Sequence, residues 1–148
     1  MVLAIAQPEL AVTLLESSTK KARFLTETRD ALGLGNVKVE CRRAEDAAAP
    51  GEPLREHFDL ATARAVAALP VLLELTVPFL RVGGRVLAVK GERAHEELAA
   101  AAGAMGALHM ELEKAERHPS ATVLLLIKRA ATAKQYPRRP GEPERKPL

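Results

Sequence analysis

Short apolar runs and helical patterns alternate along most of the chain. Four runs of apolar or alternating residues predict strands, at 11–15, 36–41, 58–63 and 85–89. Apolar residues at helical spacing predict helices at 1–6, 18–32, 69–80 and 92–108. Strands that alternate with helices favour an α/β fold, with a parallel or mixed sheet and helices on both of its faces.

The end of the chain breaks this alternation. Two strand patterns, 110–116 and 122–127, follow each other without a helix between them, so we expect an antiparallel hairpin at one edge of the sheet. Gly83 and Gly84 predict a turn before the fourth strand. Beyond residue 130 the chain is rich in Pro and Arg and has no apolar period. We therefore predict one domain over 1–130 and an extended basic tail over 131–148.

Composition limits the ways in which this chain could bind a nucleic acid. Its 148 residues suffice for one core, but only 3% of them are aromatic and Trp is absent, so base stacking on aromatic side chains is not expected. The net charge of +3 is unevenly placed: residues 128–148 hold seven basic and two acidic side chains. A cationic terminus suits contact with phosphates, although such a run can also be merely solvated.

Several other classes of protein are disfavoured. A single cysteine, Cys41, cannot form an internal disulfide, which favours a reducing cytoplasm. The four histidines lack the spacing of metal ligands, so no metal site is expected. The apolar start of the chain ends at Gln7-Pro8, too early for a membrane span or a signal core, and we expect a soluble cytoplasmic protein.

Polar side chains stand at the predicted strand ends, where an α/β sheet binds its ligand. Glu16 could accept hydrogen bonds from the ribose hydroxyls of a nucleoside, or it could stabilise the start of the next helix. Glu45 could contact the base of that nucleoside or be an exposed helix-starting acid. Arg64 could hold a phosphate, a carboxylate or a base edge, or form a surface salt bridge. Lys90 has the equivalent position after the fourth strand. We expect these four side chains to converge.

The glycine-rich turn of such folds has no counterpart in the chain. It should precede the ribose-binding acid by about 20 residues, yet the first glycine is Gly33. Gly33 and Gly35 instead follow a predicted helix, as a stop signal does. An unrelated nucleotide-binding module, such as half of a dehydrogenase, is therefore poorly supported.

Several motifs in order resemble the RsmG (GidB) methyltransferases of bacterial small-subunit ribosomal RNA. These are Leu14-Leu-Glu-Ser17, Lys20-Lys-Ala-Arg-Phe-Leu25, Arg43-Ala-Glu45, Thr62-Ala-Arg-Ala-Val66, Val89-Lys-Gly91 and Tyr136-Pro-Arg-Arg-Pro-Gly141. The resemblance covers essentially the whole chain. It implies the Rossmann-like fold of class I methyltransferases, which use S-adenosylmethionine. In this chain we expect that fold to lack its first strand and its Gly-rich loop.

The resemblance also implies an activity and a set of site residues. The family transfers a methyl group from S-adenosylmethionine to N7 of a guanine in 16S rRNA. By its motifs, Glu16 and Ser17 fall at the ribose, Ala44 and Glu45 at the adenine, and Arg64 at the arginine of the cofactor site. Because guanine N7 has a free lone pair, no catalytic base is required and no catalytic residue is assigned.

RNA contacts are expected from the cations near the strand ends and in the tail. Arg64 and Lys90 could orient the guanine or nearby phosphates, and Arg138 and Arg139 could hold the RNA backbone. The expected partner is 16S rRNA or the small ribosomal subunit, with no membrane and with a monomer when the protein is complete.

A second hypothesis is a non-catalytic RNA-binding remnant that keeps the basic tail but not the methyl donor. An in-frame Gly-rich loop encoded upstream of Met1 would favour the enzyme over the remnant. Without the first strand, neighbouring strands would expose unpaired edges. The sequence therefore predicts a chain of low solubility or stability.

Overall fold

The computed structural model describes residues 1–64 and 66–148, which divide into two compact units, Met1–Ala44 and Glu45–Leu148. The helices are α1 (Val2–Ala6), α2 (Thr19–Ala31), α3 (Ala44–Ala47), α4 (Leu69–Thr76), α5 (Ala94–Ala100), α6 (Ala102–Ala107) and α7 (Glu142–Arg145). The strands are β1 (Val12–Leu15), β2 (Val37–Glu40), β3 (Phe58–Arg64), β4 (Leu80–Lys90), β5 (Met110–His118) and β6 (Ala121–Lys128).

The first unit is a two-stranded parallel sheet with its connecting helix. β1 and β2 pair from Val12–Val37 to Leu15–Glu40, and α2 runs between them, as the apolar pattern predicted. Gly33 follows α2 with a φ of +63°, a left-handed conformation that glycine adopts without steric cost and that ends the helix.

A four-stranded mixed sheet in the order β3-β4-β6-β5 forms the second unit. β3 and β4 are parallel, whereas β4, β6 and β5 are antiparallel to their neighbours. The predicted hairpin of β5 and β6 at one edge is confirmed. β3 is the strand at the other edge, and among the described residues it pairs only with β4.

The Gly83-Gly84 pair lies inside a strand rather than in a turn. β4 begins at Leu80, because a 3₁₀ turn at Val77–Phe79 after α4 leads directly into it. Gly84 is needed there: a Cβ at this position would stand 2.9 Å from the carbonyl oxygen of Arg81 and 3.0 Å from that of Phe58. The glycine therefore marks a close approach of β3 and β4. A close approach of two backbones is one of the usual reasons for a glycine inside a strand.

The core of the second unit lies between the sheet and helices on one of its faces. Many of its buried members come from α4, β4, α6 and β6, among them Leu69, Leu72, Leu73, Val86, Ala88, Ala104, Leu124 and Leu126. Side chains on the opposite face, such as Leu87 and Leu125, are half-buried. The predicted helix at 92–108 is two short helices, α5 and α6.

The C-terminal segment, residues 131–148, differs from the extended tail that the sequence predicted. It belongs to the second unit, and no domain boundary falls at residue 130. Tyr136 is 9% exposed and joins the core, and Leu148 packs against that core beside Gly103. Pro and Arg content indicated an open chain, but hydrogen bonds to buried side chains fold this segment onto the unit.

Over residues 1–64 and 66–148, no helix has the length and apolar character needed to span a membrane.

Candidate functional site

Arg64 lies at the carboxyl edge, the end of the four-stranded sheet where β3 and β4 finish. It is the last residue of β3 and pairs with Val89 of β4. Its side chain is exposed, and the structure shows no hydrogen bond or ion pair for it within the described residues. Ala65, in the same motif, lies outside the described residues. Arg64 is thus a cation open to a ligand.

Lys90 ends the neighbouring strand but projects to the other face of the sheet. Since Arg64 is in register with Val89, the next residue along β4 points the opposite way. Lys90 is 9% exposed, and its Nζ donates to the carbonyl oxygen of Ala67 at 2.6 Å and lies 2.7 Å from Glu97 Oε2. We expected Lys90 to occupy a position equivalent to that of Arg64. Instead it lies on the opposite face of the sheet and is bonded within the unit.

The Lys90 ion pair also fixes the start of α4. Glu97 Oε2 accepts the backbone N–H of Leu69 at 2.8 Å, one of the amide groups that a helix leaves unpaired at its start. Lys90 and Glu97 together hold residues 66–68 against α5. In this arrangement the ammonium group and the carboxylate position Ala67 and Leu69 at the start of α4.

Glu16 lies at the end of the small parallel sheet where β1 and β2 finish. It follows β1 directly, and its backbone N–H donates to the carbonyl oxygen of Glu40 at 3.0 Å. Its Oε1 accepts the backbone N–H of Ser18 at 2.8 Å, which orients the carboxylate. No partner for the other oxygen is found in the part of the chain that the structure describes. Ser17, between them, is exposed.

Ala44 and Glu45 begin the short helix α3. Ala44 is half-buried, whereas Glu45 is 8% exposed, and its Oε1 accepts the backbone N–H of Gly141 at 2.9 Å. The carboxylate of Glu45 thus holds the C-terminal segment. This contact was not foreseen from the sequence, which offered only a cofactor contact or an exposed acid.

Arg138 is bound inside the unit rather than presented to solvent. Its side chain is 17% exposed, and it donates from Nε at 2.8 Å and from its backbone N–H at 2.9 Å to Oε1 of Glu74, which is completely buried. The guanidinium also pairs with Glu74 Oε2, and these hydrogen bonds raise the pKa of Arg138. The structure therefore disagrees with an RNA-facing Arg138.

Arg139, the next residue, is exposed, and no ion pair of its side chain occurs among the residues described. Adjacent arginines thus have different roles in the structure. Only the second one is available to an outside anion.

Two further charged groups that sequence reasoning missed hold the C-terminal segment. The guanidinium of Arg55 donates to the carbonyl oxygens of Ala48, Thr132, Ala133 and Tyr136 at 2.7–3.2 Å. Glu56 Oε1 accepts the N–H of Thr132 and the Nζ of the completely buried Lys128, each at 2.8 Å.

The pair Glu56–Lys128 has shifted pKa values. Partial burial acts to raise the pKa of Glu56, but the hydrogen bonds from Lys128 and Thr132 outweigh it and leave the pKa below its ordinary value. Burial lowers the pKa of Lys128, against the effect of its bond to Glu56. Lys128 also donates to the carbonyl oxygen of Leu80 at 2.6 Å, so the ammonium is well satisfied.

A signal for these anchors existed in the sequence. Glu74 interrupts an otherwise apolar helix, and a carboxylate on a buried face requires a charged or hydrogen-bonding partner. Lys128 likewise ends an apolar strand. Each predicts a partner, but the pattern alone does not say which residue it is.

The described site residues offer acceptors and cations but no metal centre. Glu16 offers a carboxylate, and Arg64 and Arg139 offer guanidinium groups. Within residues 1–64 and 66–148, no three His, Cys, Asp or Glu side chains are grouped to hold a metal ion. A carboxylate can bind the hydroxyls of a nucleoside, and an exposed guanidinium group can bind an RNA phosphate.

Comparison with known proteins identifies a family for this set of residues. Residues 1–122 match the model of the family GidB, described as rRNA small subunit methyltransferase G. A relative in Limosilactobacillus fermentum named "Ribosomal RNA small subunit methyltransferase G" is 43% identical over 154 residues, which cover 99% of this chain and 63% of the relative. One in Deinococcus radiodurans with the same name is 45% identical, covering 99% of this chain and 60% of the relative. The chain thus spans about three fifths of their length.

Solved structures support the predicted fold. The Thermus thermophilus 16S rRNA N2 G1207 methyltransferase (RsmC), in complex with AdoMet and guanosine, matches with a TM-score of 0.59 at 18% identity. The match covers 87% of this chain and 32% of that one. The class I methyltransferase fold predicted from the sequence is therefore confirmed. Because the family model matches most of this chain, residues 1–122, the chain belongs to the GidB family of rRNA small subunit methyltransferases G.

Proposed function

We propose that this protein is an S-adenosylmethionine-dependent methyltransferase that methylates guanine N7 in 16S rRNA, in the cytoplasm and as a monomer. The observation that carries the proposal is the family match over residues 1–122, together with relatives above 40% identity that bear the methyltransferase name. The open cations at the carboxyl edge and in the C-terminal segment support an RNA substrate.

The residues at β1 fit the ribose of S-adenosylmethionine. A ribose presents two hydroxyl donors, and Glu16 offers a carboxylate that Ser18 already orients at 2.8 Å. Glu16 and Ser17 would hold that ribose, and Ala44 and the backbone of Glu45 would contact the adenine. Arg64 is a further candidate for cofactor contact. The side chain of Glu45 would act through its bond to Gly141.

The chemistry asks the protein for alignment rather than for proton transfer. S-adenosylmethionine supplies a methyl group on a sulfonium sulfur. Guanine N7 donates its lone pair to the methyl carbon as the carbon–sulfur bond breaks, so no base has to remove a proton. What the chain contributes is the orientation of the guanine and its RNA by exposed cations such as Arg64 and Arg139.

A methyl-transfer assay tests this proposal directly. The protein is incubated with labelled S-adenosylmethionine and with small ribosomal subunits from a strain lacking this methylation, and the rRNA nucleosides are identified by mass spectrometry. We expect label in N7-methylguanosine. Binding of rRNA without methyl transfer, and without heat on calorimetric titration with S-adenosylmethionine, would instead establish the non-catalytic remnant.

Matched variants separate cofactor binding from general loss of charge. Glu16→Gln should weaken S-adenosylmethionine binding roughly tenfold, since a hydrogen bond to a charged group is lost. Glu9→Gln removes an exposed acid of the same unit and should leave the affinity unchanged. Equal affinities for the two variants would contradict the role of Glu16.

A further inference from the structure

A small cavity, here named the hairpin-end cavity, opens beside the turn between β5 and β6. Its volume is about 80 Å³, and its polar lining consists of Glu92, His95, Arg117, His118, Ser120 and Thr122. The register Lys90–Thr122–Arg117 runs across β4, β6 and β5. The cavity therefore lies at the carboxyl edge, on the face to which Lys90 projects.

The lining favours an anion. Arg117 is exposed, and its guanidinium has no ion pair in the described ranges 1–64 and 66–148. His95, His118 and Ser120 add N–H and O–H donors from a helix, the end of a strand and a turn. Glu92 is the acid among the lining residues, and Glu116, 3.6 Å from His118, is itself neutralised by Lys114 at 2.6 Å. A guanidinium group with imidazole and hydroxyl donors beside it can bind phosphate oxygens.

Size decides which part of a ligand could enter. Pockets that enclose a whole small-molecule ligand have volumes of roughly 300–1,000 Å³, far above that of this cavity. A single phosphate group fits the smaller volume, with the rest of a polymer outside. Free inorganic phosphate presents the same oxygens, so the source of the phosphate has to be settled by experiment.

The position of the cavity favours a phosphate of the RNA. Val89, the partner of Arg64, pairs with Val123, which pairs with Glu116 next to Arg117. Three strand spacings therefore separate Arg64 from the cavity, about 14 Å at roughly 4.8 Å each. Arg64 projects to the opposite face of the sheet from Arg117, so an RNA strand has to cross the carboxyl edge from one face to the other to contact both arginines.

We propose that the hairpin-end cavity binds a backbone phosphate of the substrate RNA, with Arg117 as its main ligand and His95, His118 and Ser120 as further donors. The assignment rests on the proposed function, since it takes the RNA substrate as given. It replaces Lys90, which is bonded to Ala67 and Glu97, as the phosphate contact at this end of β4.

The test compares Arg117→Gln with a control at the opposite end of the sheet. Arg81→Gln removes the same charge from the start of β4, where Arg81 pairs with Asp59 at 2.5 Å. Binding of small-subunit rRNA is measured over a salt series. Arg117→Gln should bind roughly tenfold more weakly, and its slope of log K against log salt should shrink by about 0.7–0.9. Arg81→Gln should match the unchanged protein.

Three outcomes would overturn the assignment in distinguishable ways. If the protein methylates rRNA but both variants bind it equally well, the cavity proposal fails and the proposed function stands. If millimolar inorganic phosphate shifts the His95 and His118 resonances while Arg117→Gln leaves rRNA binding unchanged, the cavity binds free phosphate only. If the unchanged protein neither binds nor methylates rRNA, the proposed function fails and takes this inference with it.

Discussion

The carboxyl edge and the C-terminal segment were both expected to present cations to RNA, and each presents only one of its two. At the carboxyl edge Arg64 is open, whereas Lys90 is held by Ala67 and Glu97. In the C-terminal segment Arg139 is open, whereas Arg138 is held by Glu74. In both regions the held cation meets a carboxylate that lies within the packed unit.

The two regions differ in what the held cation does. Lys90 bonds to a half-buried acid and fixes a loop and the start of α4. Arg138 neutralises a completely buried acid and, with Arg55 and Glu45, ties a whole segment to the unit. A basic residue in a sequence is therefore weak support for RNA contact until the acids near it in space are known. The buried pair should matter most to stability.

The largest effect is expected from Glu74→Ala. It leaves Arg138 largely buried without its partner, which should lower the free energy of unfolding by about 3–5 kcal/mol. Urea denaturation measures this loss. Glu142→Ala is the control, because Glu142 lies 3.8 Å from the same guanidinium but is 39% exposed, and a solvent-exposed pair contributes about 0–1 kcal/mol. Similar losses for both variants would remove the distinction between a held and an open arginine.

A smaller loss is expected from Lys90→Met at the carboxyl edge. The change removes the hydrogen bond to Ala67 and the ion pair with the partly exposed Glu97, and we expect a total loss of about 1.5–3 kcal/mol. Arg64→Met, on an exposed side chain, should alter stability by less than about 0.5 kcal/mol. For rRNA affinity the order reverses: Arg64→Met should weaken binding and Lys90→Met should not. A weaker affinity for Lys90→Met in a fully folded sample would restore Lys90 as an RNA ligand.

The C-terminal segment should also be the more acid-sensitive of the two regions. The pKa of Glu56 is below its ordinary value of 4.5 in the folded chain, so its stabilising effect is complete above that value. The effect is lost as the pH falls from 4.5 through the lowered folded-state pKa. Urea denaturation over this pH range should show a steeper loss for the unchanged protein than for Glu56→Gln. Parallel curves would contradict the contribution of Glu56.

The smallest effect on stability is expected from Arg139→Gln, within about 0.5 kcal/mol of the unchanged protein. Its effect should appear in rRNA binding instead, with the salt slope reduced by about 0.7–0.9 for one lost phosphate contact. A salt series on rRNA binding measures it. An unchanged slope would leave the C-terminal segment with a structural role alone.

Most of the secondary structure was predictable because it follows from local pattern. The parallel pair β1–β2, the stop at Gly33 and the β5–β6 hairpin all agree with the apolar periods and turn residues. Gly84 was misread, because a glycine that permits the close approach of two strands has the same sequence signature as one in a turn. The length of β4 was missed for the same reason.

The candidate site was predictable only to the level of residue types at strand ends. That Arg64 and Lys90 end neighbouring strands could be read from the chain, but their faces depend on register, and one residue of offset reverses the direction of a side chain. Likewise, Glu74 signalled a buried partner without naming Arg138, 64 residues away.

The amino-acid sequence by itself determined the α/β order of elements, the motifs of the family and the supply of cations near the carboxyl edge and the terminus. Tertiary structure alone decided which of those cations remain open to a ligand. The physical reason is that a buried carboxylate must be neutralised by whichever cation the fold brings to it. That pairing depends on contacts between residues distant in the chain, which local pattern does not encode.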